Sequence, residues 1–123
     1  MKKLLTILCL ILLVSCSNEV PDDKLVERQG IVYEINSTTP FTGQSVRYST
    51  DMDLNEDSKF VKEGKLLEKT SYRNGKRDGL AEVFHENGQL KSGRNYKDGE
   101  LDGLTELFYE NGQLQGRINY KNG

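Results

Sequence analysis

The 123-residue chain has no tryptophan, one histidine, two prolines and two cysteines. So few cysteines exclude the disulfide framework that staples many small secreted domains. Neither sign of charge dominates, with 17 Lys+Arg against 19 Asp+Glu, so the basic footprint of a nucleic-acid-binding protein is missing. There is no Gly-x-Ser-x-Gly, no phosphate-binding loop and no paired cysteine–histidine arrangement. Long hydrophobic runs are absent too. The longest, residues 4–14, is eleven residues, well short of the roughly 20 that a membrane-spanning helix needs. Eleven of the 43 apolar residues fall in the first fifteen positions, leaving 32 among the remaining 108. A body so poor in apolar residues cannot enclose a deep core. Glycine is what the chain does have. Its twelve glycines are regularly spaced, which argues against the disorder that low apolar content alone would suggest.

The N-terminus is an address. Lys2 and Lys3 precede the apolar run, which has the length of a signal-peptide h-region. The run ends in Leu13, Val14, Ser15 and Cys16, and this resembles the lipobox of bacterial lipoproteins. Cys9 follows Leu8 instead of a small residue and is a poor alternative. The resemblance implies that residues 1–15 are removed and that Cys16 is lipidated as the new N-terminus. No cysteine then remains for a disulfide or a metal site. Each buried CH₂ of an acyl chain contributes about 0.8 kcal/mol to membrane attachment. Without Lys2 and Lys3, 15 basic residues face 19 acidic ones, a net charge of −4, so lipid and not charge must hold the protein to a membrane. Residues 16–27 read as a polar, lipidated tether. Ser17 stands where Gram-negative lipoproteins retained at the inner membrane usually carry Asp, so the resemblance favours the outer membrane.

The body repeats every 24 residues. Tyr72, Tyr96 and Tyr120 are in register, as are Gly79 with Gly103 and Phe84 with Phe108. The run Glu86, Asn87, Gly88, Gln89, Leu90 recurs as residues 110–114. A degenerate copy precedes these repeats over residues 28–71. There Gly43 and Tyr48 correspond to Gly79 and Phe84, and Gly64 to Gly88, with an acidic insertion of twelve near residues 49–61. Asn-Gly and Asp-Gly pairs at 74–75, 87–88, 98–99 and 111–112 are hairpin-turn dipeptides, because both residue types tolerate positive φ. Asp78 with Gly79, and Asp102 with Gly103, are expected to widen or bulge those turns.

Between the turns lie strand-length segments with alternating side chains. Leu80, Glu82 and Phe84 face one way, and Ala81, Val83 and His85 the other. Alternation also puts Leu90 and Tyr96 on one face, and Leu114, Ile118 and Tyr120 on one face. The fold expected is all-β, an elongated antiparallel β-meander of stacked 24-residue hairpins with about seven strands. Tyr72, Tyr96 and Tyr120 should form one ladder, and Phe84 and Phe108 another. Together they make a stripe over which the sheet curls, serving as core and as candidate interaction surface.

The pattern Tyr-x-x-Gly-x-x-x-Gly-Leu-x-x-x-Phe-x-x-Asn-Gly-x-Leu resembles the MORN-type repeat. More narrowly, it is similar to the variant found in bacterial YwqK-family antitoxins. The resemblance implies a β-meander used for protein or membrane contacts, without catalytic residues or cofactors. Where such repeats often carry tryptophan, this chain has Ala81 and Thr105.

Sites of chemistry are few. His85 has Tyr109 as its repeat equivalent, so the position calls for a flat ring on the outer face and not for a ligand or base. Glu82 and Glu106 fall roughly 9–10 Å apart by strand spacing, near the separation of an inverting glycosidase pair. Their duplication by the repeat is explained by structure. Asp51, Asp53, Asn55 and Asp57 alternate like the start of an EF-hand loop. The sixth position, however, is Glu56 in place of glycine, and the twelfth is Lys62 in place of glutamate. They read as a solvated acidic loop, with a weak Ca²⁺ site as the alternative. The expectation is a non-enzymatic lipoprotein of the cell envelope. It is membrane-bound through its lipid, makes no nucleic-acid contact and meets an envelope protein, or a toxin acting there.

Overall fold

The computed structural model describes residues 18–50 and 64–123. Cys16 and the loop residues Asp51, Asp53, Asn55 and Asp57 lie outside them. The described chain forms β1 (Glu19–Pro21), a 3₁₀ turn (Asp22–Lys24), β2 (Leu25–Arg28), β3 (Ile31–Glu34), β4 (Gly43–Tyr48) and β5 (Leu66–Arg73). These are followed by β6 (Lys76–Phe84), β7 (Leu90–Lys97), β8 (Glu100–Phe108) and β9 (Leu114–Tyr120). Seven strands make one sheet in the order β1-β4-β5-β6-β7-β8-β9, and β2 pairs with β3 as a separate hairpin.

Three hairpins share one register. Gly43 opposes Tyr72, Gly79 opposes Tyr96 and Gly103 opposes Tyr120. At the other end Tyr48 opposes Leu66, Phe84 opposes Leu90 and Phe108 opposes Leu114. The register shifts just before Tyr48, Phe84 and Phe108 in each case. Even the closing bonds match. The amide of His85 donates to the Gln89 carbonyl at 2.8 Å, that of Tyr109 to Gln113 at 2.9 Å, and that of Ser49 to Lys65 at 2.8 Å. The β4–β5 hairpin is therefore a repeat whose loop is twelve residues longer, and the insertion lies in that loop.

Two turn geometries alternate along the sheet. Asn74 and Gly75 both have positive φ (51° and 78°), as do Asp98 and Gly99 (48° and 88°). These are the two-residue turns whose twist suits antiparallel strands. At the opposite end only the glycine of each Asn-Gly pair is left-handed, with Gly88 at 85° and Gly112 at 84°. Asn87 instead uses its Oδ1 to accept from the Gln89 amide at 3.0 Å, and Asn111 accepts likewise from Gln113. The same dipeptide thus serves two turns, decided by the strand register on either side. Inside β6 the pairing to β5 shifts between Thr70 and Tyr72, opposite the stretch that holds Gly79, and β8 repeats this around Gly103. Asp78 with Gly79, and Asp102 with Gly103, therefore mark bulges, as expected.

Three expectations need correction. The meander is not antiparallel throughout, because β1 adds to β4 in parallel, Val20 opposing Ser45. A parallel neighbour requires a crossover, and residues 22–42 supply it while carrying the β2–β3 hairpin. Residues 19–27 are consequently not a free tether. Their polar composition hides the strand because main-chain groups hold it: the Gln44 amide donates to the Asn18 carbonyl at 3.0 Å. Finally, Leu90 does not share a face with Tyr96. Val83 opposes Ser92, yet its neighbour Phe84 opposes Leu90, leaving Lys91 as one extra residue. One bulged residue inverts the alternation. A Cβ on Gly93 would sit 3.8 Å from Leu80 and 3.9 Å from Leu90, so Leu80, Leu90 and Phe84 lie together on the face away from Tyr96. The same shift puts Leu114 with Phe108, apart from Ile118 and Tyr120.

The core is correspondingly thin. Phe41 and Val46 are the buried hydrophobic residues among those described, joined by Ser45, Ser49, Thr70, Ser92 and Thr105. Phe41 is sealed at the N-terminal end by a short network. Its amide donates to the Val32 carbonyl at 2.8 Å, and its carbonyl accepts from the Gly75 amide at 2.7 Å.

Candidate interaction surface

The two aromatic ladders are on opposite faces. On one, the register aligns Ser45, Thr70, Ala81, Arg94, Thr105 and Ile118 across the sheet, with the tyrosines beside them. On the other it aligns Val46, Lys69, Glu82, Gly93, Glu106 and Arg117, with Phe84 and Phe108 beside them. The stripe expected from Tyr72, Phe84, Tyr96, Phe108 and Tyr120 is thus two separate rows. All five side chains are half-buried.

The tyrosine row has members that repeat alignment alone did not single out. Tyr72 opposes Arg77 across β5–β6, and Tyr96 opposes Leu101 across β7–β8. Phe41, Arg77 and Leu101 each stand two residues before a repeat glycine, so one row reads Phe41, Tyr72, Arg77, Tyr96, Leu101, Tyr120. The Phe41 and Tyr72 rings meet at 5.8 Å between centroids, inclined by 52°. The Arg77 guanidinium lies 5.4 Å from the centre of the Tyr96 ring, a cation–π distance. Burial alone would lower the Arg77 pKa. The neighbouring Tyr72, with Tyr96 contributing further, outweighs this and raises it. The signal for Arg77 was its position between two in-register tyrosines. It was obscured because the three equivalent residues are aromatic, cationic and aliphatic.

Tyr72 and Arg77 open onto a depression of about 380 Å³ at the end of the sheet that carries the two-residue turns. Its walls include Glu27, Lys76, Asp98 and Glu100, with Gly75 and Val32 where the β2–β3 hairpin closes one side. Three carboxylates thus face two cations.

Two of the residues weighed for chemistry, His85 and Glu106, have structural partners. The ring Nε2 of His85 lies 2.9 Å from the Phe108 carbonyl, tying one repeat turn to the next. Glu106 accepts from the Arg117 guanidinium at 2.7 Å. Glu82 and Glu106 both oppose Gly93, on the two sides of β7, so they lie two strands apart. Asn87 adds a second link between repeats, its amide donating to the Glu110 carbonyl at 2.6 Å. Among the described residues, no three His, Cys, Asp or Glu side chains are grouped to hold a metal ion.

Comparison with known proteins bears on the same strands. Residues 77–98 and 101–122 match the MORN repeat variant. The matches cover β6–β7 and β8–β9, each beginning at a row position, Arg77 or Leu101. The β4–β5 hairpin has the same register and lies outside the match. MORN repeats point to a repeat module that contacts proteins or membranes. No curated protein and no solved structure matches the chain.

Proposed function

We propose that this chain is a lipid-anchored, non-enzymatic interaction protein of the bacterial cell envelope, attached through Cys16 and contacting another envelope protein along its tyrosine row. The observation that carries this reading is the alternation of Tyr72, Arg77, Tyr96 and Leu101 on an open face of a MORN-type sheet. Half-exposed tyrosine and arginine are the side chains that most often dominate protein interfaces. The non-enzymatic part is supported by the commitments of His85 and Glu106 to inter-strand bonds. The lipobox resemblance, with Ser17 after the cysteine, supports anchoring, at the outer membrane in a Gram-negative host.

Two measurements test it. Labelled palmitate should enter the full chain in a bacterial host and be lost with Cys16→Ala. A photo-crosslinker at Leu101 should give a discrete protein adduct in membranes, and Arg77→Ala should weaken it about tenfold, the loss expected of one interface anchor. Absence of palmitate, or a crosslink pattern indifferent to Arg77, overturns the reading. The similarity to YwqK-family antitoxins suggests a toxin acting in the envelope as that partner. Toxicity of the neighbouring gene product, relieved by co-expression of the exported chain, would be the result expected.

A further inference from the structure

Position along the chain places the depression close to the proposed anchor. Read as a free tether, residues 16–27 would let the body drift about 40 Å from the membrane. The fold removes nearly all of that freedom. The Asn18 carbonyl accepts from Gln44 at 3.0 Å, and the Asn18 side-chain amide donates to the Thr42 carbonyl at 3.1 Å. A Cβ on Gly43 would lie 2.7 Å from the Asn18 carbonyl oxygen, so the two chains run in contact. Asn18 is two residue steps from Cys16, a reach of no more than about 7 Å. Gly43 in turn opposes Tyr72, which lines the depression. From Asn18 to Tyr72 is two strand spacings, about 10 Å.

We infer that the depression bounded by Tyr72, Arg77, Lys76, Glu27, Asp98 and Glu100 works at the bilayer surface, on a basic juxtamembrane segment of a membrane-embedded protein. This rests on the anchoring of Cys16 proposed above. The Tyr72 wall of the depression is then within about 17 Å of the acylated residue, where a protein in the same bilayer presents its membrane-flanking residues. The far wall, Glu100 on β8, lies five spacings from β1, roughly 24 Å across the sheet. β9 lies six spacings from β1, roughly 29 Å away across the sheet. Three carboxylates against two cations line the walls. One of the cations, Arg77, lies over the Tyr96 ring, 5.4 Å from its centre. That balance suits a lysine- or arginine-bearing segment and opposes an anionic lipid headgroup.

The test uses the full acylated chain. Its mature form would have no thiol besides an introduced one, since Cys9 leaves with the signal and Cys16 carries lipid. A fluorophore on Lys76→Cys and one on Gln115→Cys are compared in phosphatidylethanolamine–phosphatidylglycerol vesicles containing headgroup-nitroxide lipid. The Lys76 label should be quenched about threefold more strongly, given the strand spacings that separate the two positions. A flexible Gly/Ser stretch of about twelve residues between Ser17 and Asn18 should abolish the difference, because it restores a reach of about 40 Å. Equal quenching at the native length, or no change with the insertion, overturns the inference. In cells, a photo-crosslinker at Lys76 should react with an integral membrane protein, and the insertion should reduce that adduct severalfold. An adduct with lipid or with a soluble protein alone overturns the partner assignment. Palmitate incorporation is measured on every variant. Its absence would sink the anchoring itself, a failure separate from equal quenching in a properly acylated protein.

Discussion

The two ends of the molecule are built by different means. From β6 to β9 each strand repeats the residues 24 positions away, and each hairpin rests on its neighbour through equivalent bonds. Residues 18–40 have no repeat partner. They hold the first repeat by burying Phe41, seating Gly75 under Val32 and adding β1 to the β4 edge. A regular array spreads its stability over many half-buried contacts, as repeat proteins do. A non-repeating cap concentrates it in a few closely packed atoms, and substitutions at equivalent positions should therefore be unequal.

Phe41 and Leu101 occupy the same row position and give the largest contrast. Phe41 is 3% exposed against the Tyr72 ring, and Phe41→Ala should cost about 3–5 kcal/mol. Leu101→Ala removes a half-buried side chain and should cost about 1–2 kcal/mol. Urea unfolding of the two variants measures both, and equal losses would mean that the cap is no better packed than the array.

Gly75 and Gly99 are repeat equivalents with the same left-handed backbone, φ 78° and 88°. Alanine at either site carries about 1–2 kcal/mol of backbone strain. At Gly75 the new Cβ would also lie 2.3 Å from the Ile31 Cγ2 and 2.9 Å from the Val32 carbonyl oxygen, whereas at Gly99 its nearest neighbour is 4.0 Å away. Overpacking should add about 1–3 kcal/mol to Gly75→Ala. Thermal unfolding should show the larger drop for Gly75→Ala. A matched drop would place the β2–β3 hairpin elsewhere.

The smallest contrast lies within the array. Asn87 and Asn111 each accept from the amide two residues on, but Asn87 also donates to Glu110 in the next turn. Asn87→Ala should therefore cost more than Asn111→Ala by about 0.5–1.5 kcal/mol, the value of one hydrogen bond. If the two midpoints coincide, the links between turns contribute nothing to stability.

Much of the array was legible because its signals are local. Asn74 with Gly75, and Asp98 with Gly99, specify turns by what their backbones tolerate, and the 24-residue interval between the tyrosines sets how hairpins stack. Facing was legible only in part. Alternation holds for Ala81 and Val83 and fails at Leu90, because the extra residue Lys91 changes the count without leaving a mark in composition. The candidate surface suffered from this directly: a bulge of one residue separates the phenylalanine row from the tyrosine row. Arg77 and Leu101 were hidden for another reason. Their position in the row is defined by cross-strand neighbours, and a self-alignment compares equivalents, not neighbours.

By itself, then, the sequence determined that the body is all-β, that hairpins recur at 24 residues, where most turns fall, and that the longer loop belongs to the first repeat. These follow from glycine's access to positive φ and from side chains that recur with the period. Tertiary structure alone decided the parallel edge strand, the capping hairpin and the division of the aromatics between two faces. Main-chain pairing between segments distant in sequence and a one-residue change of register govern those features. Neither requires a particular side chain, so neither leaves a pattern to read.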